Sequence, residues 1–196
     1  MKTLLPAPQF YCLRHAPLAA VAVLWTLQRG QPKIVRVLIA PPGTPDADAV
    51  KSEVFKAQPG ECLEIGQIAD QLEALLRGEA LRFSLDRILL DLCPDFQQRV
   101  LRAEHGIPRG RVSTYGLLAG FIGRPGAARA VGAALATNPF PIIIPCHRAV
   151  RADRTLGGYQ GGLKMKRALL EAEGIPFDHK GRVAVADFYY SPGSGG

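Results

Sequence analysis

Residues 113–136 read STYGLLAGFIGRPGAARAVGAALA, two stretches of small and apolar residues separated by Gly123-Arg124-Pro125-Gly126. Two glycines and a proline within four residues end a helix, so the pattern predicts one short helix over Thr114–Ile122, with Ser113 as its N-cap, and a second over Ala127–Ala136. Helix, glycine-containing turn, helix is the helix-turn-helix pattern, although any compact α-hairpin shares it. In the second helix, Ala128, Val131 and Leu135 fall at i, i+3 and i+7 and pack inward, while Arg129, Gly132, Ala133 and Ala136 fall on another face. That face holds one cation among very small side chains. A mid-helix glycine costs about 1 kcal/mol relative to alanine, and close approach of the backbone to a narrow minor groove, or to another helix, offsets it.

Downstream, Pro141-Ile142-Ile143-Ile144 is a buried extended run, and Pro145-Cys146-His147-Arg148 follows. Pro145 cannot donate to a strand ladder, so the chain leaves the core near Cys146. A thiol beside a histidine and an arginine is a candidate nucleophile, because neighbouring cations favour the thiolate. The alternative is a small core residue, but His147 and Arg148 would then need partners inside that core.

Upstream, Phe96–Glu104 has helical spacing with Val100 and Leu101 inward, followed by the loop Gly106-Ile107-Pro108-Arg109-Gly110. Leu18–Leu27 and Lys33–Ala40 are apolar, β-branched runs joined at Arg29-Gly30-Gln31-Pro32, which predicts two antiparallel strands. After the break Pro41-Pro42-Gly43-Thr44-Pro45, helices are expected over Ala47–Phe55 and Glu64–Leu76. The second presents Ile65, Ile68, Leu72, Leu75 and Leu76 on one face and stops at Gly78. Residues 80–94 are expected to be extended. The chain thus divides into an α/β domain over 1–93, a small antiparallel sheet with helices, and a mostly α domain over 94–196. The Gly- and Ser-rich end, from about 190 to 196, is expected to be a flexible tail.

Charge sharpens this division. Residues 1–93 carry 10 basic and 10 acidic side chains, whereas 94–196 carry 14 and 7, so the net +7 lies entirely in the second half. Between Arg99 and Arg167 there are 12 basic residues against Glu104 and Asp153 alone, the footprint of a surface that meets phosphates. Nucleic acid is the expected partner. Cys12, Cys62, Cys93 and Cys146 show neither a C-x-x-C pair nor disulfide-framework spacing, which points to a reducing, cytoplasmic compartment. Cys12 and His15 have ligand-like spacing without a second pair, so no metal is expected. Leu18–Leu27 is too short to span a bilayer.

Cys146-His147-Arg148 is preceded by Asn138-Pro139 and Arg129-Ala130-Val131-Gly132. It is followed by Gly158-Tyr159-Gln160-Gly161-Gly162 and Leu169-Leu170-Glu171-Ala172-Glu173-Gly174. In these motifs and their order, from about Phe96 to Gly174, the chain resembles the O6-alkylguanine-DNA alkyltransferases, the methylated-DNA–protein-cysteine methyltransferases. The resemblance implies a ribonuclease H-like N-terminal domain and a winged-helix-like C-terminal domain carrying the helix-turn-helix. It further implies direct-reversal repair, in which an alkyl group moves from O6 of guanine, and potentially from O4 of thymine, in duplex DNA onto Cys146. No cofactor is implied, and a monomer is expected.

In that reading Cys146 is the acceptor, activated by His147 through a water, with Glu173 orienting the histidine. The thioether formed has no hydrolysable bond, so each molecule acts once. Arg129 takes the place of the extruded base, with the second helix in the minor groove and Gly132, Ala133, Ser113 and Thr114 also among the DNA-binding residues. Tyr115 rotates the target phosphate and gives a proton to the departing guanine. Tyr159, Gln160, Gly157, Pro141 and the Ala149 carbonyl form the pocket, Asn138 braces the turn, and Lys166 supports the site. Arg148 is expected to be structural. The alternative is a protein that recognises alkylated bases, or regulates DNA, without repairing it, and the presence of Cys146 argues against this.

Overall fold

Alternation of valine, leucine and alanine between Ala20 and Trp25 builds the central strand of a sheet that a computed structural model describes together with the rest of residues 6–42 and 57–192. The expected helix over Ala47–Phe55 lies outside the described residues. The contacts of the chain fall into two units, one containing residues 1–94 and 139–143, the other 95–138 and 144–196.

In the first unit, β1 (Phe10–His15), β2 (Ala20–Gln28), β3 (Gln31–Ala40) and β4 (Gln58–Pro59) form a sheet of order β3-β2-β1-β4. Strands β1, β2 and β3 pair antiparallel, but β4 runs parallel to β1, so the sheet is mixed and not purely antiparallel. The β2–β3 connection is tighter than expected: Gln28 pairs with Gln31, and Arg29 and Gly30 have φ of 52° and 74°. Two left-handed residues are the geometry of a type I′ hairpin, whose twist matches that of the strands. Helix α1 (Leu63–Leu76) lays Ile65, Ala69, Leu72, Leu75 and Leu76 on the sheet, with Ile68 only half-buried at the edge of that face. Residues 80–94 are not a strand. Ile34 accepts from Leu89 and donates to Arg87, which ties the segment to β3, and Leu90–Leu92 then closes a 3₁₀ turn. Cys12 and His15 stand an odd number of residues apart in β1, so they point to opposite faces and cannot chelate one ion.

The second unit is mainly helical. Helix α2 (Asp95–Gly106) buries Val100 and Leu101 as expected, together with Gln97 and Glu104. A two-residue strand β5 (Ser113–Thr114) leads into α3 (Tyr115–Phe121), and α4 (Ala128–Ala136) follows the Gly-Arg-Pro-Gly turn. Thr114, not Ser113, caps α3: its hydroxyl accepts from the Leu117 amide. Ser113 is fully buried and its hydroxyl donates to the Tyr189 carbonyl. After the 3₁₀ turn Cys146–Arg148, β6 (Ala149–Val150) pairs parallel with β5, and α5 (Gly162–Ala172) ends the regular structure.

Residues 175–192 continue as a strap over the second unit, and the rest of the expected tail, 193–196, lies outside the described residues. Ile175 and Val183 join Val112, Val150 and Leu170 in one cluster, the Tyr190 hydroxyl donates to the Ala103 carbonyl, and its ring stacks on Phe121 at 3.9 Å. No described helix is long and apolar enough to cross a membrane. Because the Thr114 hydroxyl satisfies an otherwise orphaned amide of α3, Thr114→Ala is expected to lower the unfolding free energy by about 1 kcal/mol in urea titration.

Candidate active site

Pro145 ends the buried run, and the chain turns at once into the 3₁₀ turn that carries Cys146, His147 and Arg148, all three buried. Asn138, at the foot of α4, holds this turn from behind: its amide donates to the Ile144 carbonyl at 3.3 Å and to the Cys146 sulfur at 3.5 Å. Burial pushes the Cys146 thiol up to about 12, and the Asn138 contact, which favours the thiolate, offsets only part of this.

Glu173 closes the C-terminus of α5, where Gly174 takes the left-handed conformation (φ 83°) that ends the helix. Its carboxylate meets both of the residues that follow the cysteine. His147 Nε2 lies 2.9 Å from Oε1, and Arg148 grips both oxygens, Nη2 to Oε1 at 2.6 Å and Nε to Oε2 at 2.8 Å. Burial opposes ionisation of Glu173, but the His147 and Arg148 hydrogen bonds win and bring its pKa down to about 2. An ionised carboxylate only accepts, so Nε2 carries the histidine proton and Nδ1 keeps a lone pair. Nδ1 has no hydrogen-bond partner among the described residues, and burial lowers the histidine pKa, so the ring is a neutral base. The third Arg148 arm, Nη1, reaches the Ile107 carbonyl at 2.6 Å.

Lys166, fully buried on α5, gives its three protons to the carbonyls of Ala149, Leu156 and Gly158, at 2.6, 2.5 and 3.2 Å. It therefore pins the whole loop that follows the cysteine. Above Cys146 opens a cleft of about 370 Å³ lined by Tyr115, Gly132, Leu135, Ala136, Arg151 and residues 157–160. Tyr159 stands edge-on to His147, with ring centroids 6.2 Å apart. Gln160 donates to the carbonyls of Ala136 and Asn138, which joins the pocket loop to the end of α4. Gly157 has φ 66°, and a Cβ there would lie 2.7 Å from the Tyr115 hydroxyl, so only glycine lets tyrosine and loop share this wall. Arg129, Ala133 and Ala136 are exposed on the outer face of α4, with Gly132 between them against Tyr115.

Most of the expected residues converge here, and four do not. Pro141 is buried with the first unit and does not line the cleft, because the apolar run it opens packs among core residues. Ser113 and Thr114 are 0% and 5% exposed with both hydroxyls engaged inside the fold, so neither side chain is presented to a ligand. The Ala149 carbonyl is taken up by Lys166. Two residues went unassigned in the sequence. Arg151 lines the cleft, signalled only by a cation close behind Cys146, and Gln97 clamps the end of α4 through the carbonyls of Ala134 and Thr137.

A single thiol at the floor of a cleft, backed by a neutral imidazole and an ionised carboxylate, beside a helix-turn-helix, is the arrangement of side chains that a nucleophilic cysteine requires. Residues 95–175 match the family model for the 6-O-methylguanine DNA methyltransferase, DNA binding domain. The methylated-DNA–protein-cysteine methyltransferase of Methanothermobacter thermautotrophicus is 40% identical over 116 residues, 59% of this chain and 65% of that protein. That of Mycobacterium bovis is 52% identical over 105 residues, 53% of this chain and 62% of that protein. The chain thus spans just under two thirds of the length of these curated relatives. A crystal structure of the Mycobacterium tuberculosis O6-methylguanine methyltransferase superposes with a TM-score of 0.66 at 34% identity, covering 91% of this chain and 96% of that one. One of the M. tuberculosis protein in complex with DNA gives 0.66 at 33%, covering 84% and 92%. The chain belongs to the 6-O-methylguanine DNA methyltransferase family.

The Glu173 carboxyl titrates at about 2 in the fold against 4.5 ordinarily. The stability it contributes is therefore complete above the ordinary value and is lost as pH falls through the folded one. Glu173→Gln is expected to cost about 3 kcal/mol at neutral pH in urea unfolding, with the deficit shrinking as pH falls from about 5 towards 2. A deficit constant with pH would assign the loss to packing alone.

Proposed function

We propose that this protein repairs DNA by moving an alkyl group from O6 of guanine in a duplex onto Cys146, once per molecule. The observation that carries the reading is the Cys146 sulfur at the floor of a cleft whose wall is shared by Tyr115 on α3 and Tyr159 in the pocket loop, backed by the His147–Glu173 pair. The thiol proton passes to Nδ1 of His147 through one water, and the resulting imidazolium is held by Glu173. Sulfur bonds to the alkyl carbon as that carbon's bond to O6 breaks, and the guanine leaves with a proton supplied by Tyr115. Sulfur and carbon are then joined in a thioether that water cannot cleave, so the chemistry ends there.

The base reaches the thiol by leaving the stack, at a cost of a few kcal/mol. The small outer face of α4 suits the minor groove, and Arg129, which has no partner among the described residues, fills the gap the base leaves. Asn138 steadies the turn, Lys166 holds the pocket loop in shape, and the excess of arginine over the second unit supplies contacts to phosphate. In finer terms we read the first unit as a ribonuclease H-like fold and the second as winged-helix-like, acting as a monomer in the cytoplasm. The division of labour near residue 93 belongs to the same reading. Arg151 extends it, since a cation at the cleft wall is placed to meet the phosphate or the edge of the extruded nucleotide.

Incubation with a duplex oligonucleotide carrying O6-methylguanine should place one methyl group on the Cys146 peptide by mass spectrometry, and none after Cys146→Ser. An intact lesion with unmodified Cys146 would leave lesion recognition in its place. Arg129→Ala should slow methyl transfer from duplex DNA by about tenfold or more while leaving the reaction with free O6-benzylguanine nearly unchanged; equal losses would remove Arg129 from the flipping step.

A further inference from the structure

Arg151 is the one charged side chain that lines the cleft above Cys146 among the described residues. It is exposed, and its guanidinium makes no hydrogen bond or ion pair there. The polar groups around it are all engaged. On the same turn, Asp153 accepts from the Thr155 amide and hydroxyl at 3.0 and 2.6 Å, while Arg154 donates to the Val185 carbonyl and stands over the Phe188 ring. The Gln160 amide and the Lys166 ammonium are bonded to backbone carbonyls.

The main chain of Arg151 is fixed even though its guanidinium is free. Its amide donates to the Thr155 carbonyl and its carbonyl accepts from the Arg154 amide, both at 2.9 Å. Thr114 pairs with Val150 in the parallel ladder of β5 and β6, so Tyr115 and Arg151 leave that ladder side by side, and both line the cleft. A fork of five N–H donors is thus held on the wall of the cleft that has Cys146 at its floor.

A methyl group makes no use of this cation. The sulfur attacks the first carbon of an O6 substituent, so the remainder of any longer substituent lies in the cleft that Arg151 lines. Where that remainder ends in a carboxylate, its charge repels the thiolate that forms at Cys146, and a nearby cation offsets the repulsion.

We propose that Arg151 is a specificity-determining residue that fits the cleft to O6 substituents ending in a carboxylate, which its guanidinium pairs with during transfer. The carboxylate is a spectator: sulfur bonds to the first carbon, the bond from that carbon to O6 breaks, and the protons move as they do for a neutral substituent. The proposal rests on Cys146 as the acceptor and names a substrate class for that same site. A phosphate of the extruded nucleotide would meet Arg151 whatever the substituent, so the charge of the substituent separates the two roles.

Duplexes carrying O6-(2-carboxyethyl)guanine, or its neutral isostere O6-(2-carbamoylethyl)guanine, keep phosphates and substituent size constant and differ by one charge. Transfer to the Cys146 peptide, timed by mass spectrometry, gives a ratio of anionic to neutral rates within each protein, from which any general effect of a substitution cancels. Arg151→Ala should lower this ratio by about fivefold and Arg151→Glu by about tenfold or more, whereas Arg151→Lys should keep most of it. The gap between the wild-type and Arg151→Ala ratios should narrow as salt rises from about 0.05 to 0.3 M, because an exposed pair is screened. A ratio that Arg151→Ala leaves unmoved overturns the proposal, even where both rates fall together, and so does a gap that salt does not change. An O6-methylguanine duplex run alongside reads the acceptor itself. Cys146 left unmethylated there sinks the repair reading and this proposal with it, whereas a methylated Cys146 with an unmoved ratio sinks the role of Arg151 alone.

Discussion

The buried contact between Arg148 and Glu173 is the interaction on which the second unit's working parts depend. One carboxylate at the end of α5 accepts from a guanidinium and an imidazole on a turn 25 residues earlier, and the same guanidinium holds the loop after α2 through Ile107. Burying two charges is a net benefit only where their hydrogen bonds are nearly all made, and here each arm of Arg148 finds an oxygen. The pair does more than fasten the elements together. By keeping Glu173 ionised it fixes the histidine tautomer, so the lone pair that accepts a proton is placed by a salt bridge on the far side of the ring.

Irregular backbone around the site is stabilised by side chains that take over the work of a sheet or helix. Buried carbonyls must be satisfied, and neither the loop at 151–158, beyond the two-residue strand β6, nor the C-terminus of α4 has a ladder to satisfy them. Lys166 bonds three carbonyls of the loop and its borders, Gln97 reaches Ala134 and Thr137, and Gln160 takes Ala136 and Asn138. Each of these is a long polar side chain with several donors, which lets one residue hold several strands of loop. The pocket keeps its shape without regular structure.

Patterns that repeat within a turn or two were legible in the sequence. The faces of α1, α2 and α4, the glycine-proline break before α4 and the exit of the chain at Pro145 follow from periodicity and from backbone chemistry that Gly and Pro impose. The order of Cys146, His147 and Glu173 was legible through a family motif, and their meeting in space was not, since spacing says nothing about which nitrogen faces which oxygen. Ser113 reads in the sequence as an N-cap and Thr114 as the first residue of its helix, both as DNA contacts; a two-residue pairing with β6 and the strap over them bury both. Strand β1 was missed because Phe10–His15 mixes apolar and charged residues, and its place is secured by pairing with β2 and not by its own pattern. Glu104 read as one scarce acid in a basic stretch, and only the packing of α2 turns it inward.

Burial holds the Cys146 thiol far above the neutral range, so the group at rest is the thiol and not a free thiolate. Transfer of the Cys146 proton to His147 changes no net charge within the site: a neutral pair becomes a thiolate and an imidazolium, and the imidazolium is held by a carboxylate already ionised. Burial, which makes isolated ionisation of sulfur so unfavourable, strengthens the attraction between the ions this transfer creates, because the surrounding dielectric is low. The same burial that silences the thiol at rest therefore supports the thiolate–imidazolium pair once it forms. The single-use acceptor proposed for Cys146 would gain from this coupling, since a cysteine that ionised freely would be lost to any passing electrophile before it met its substrate.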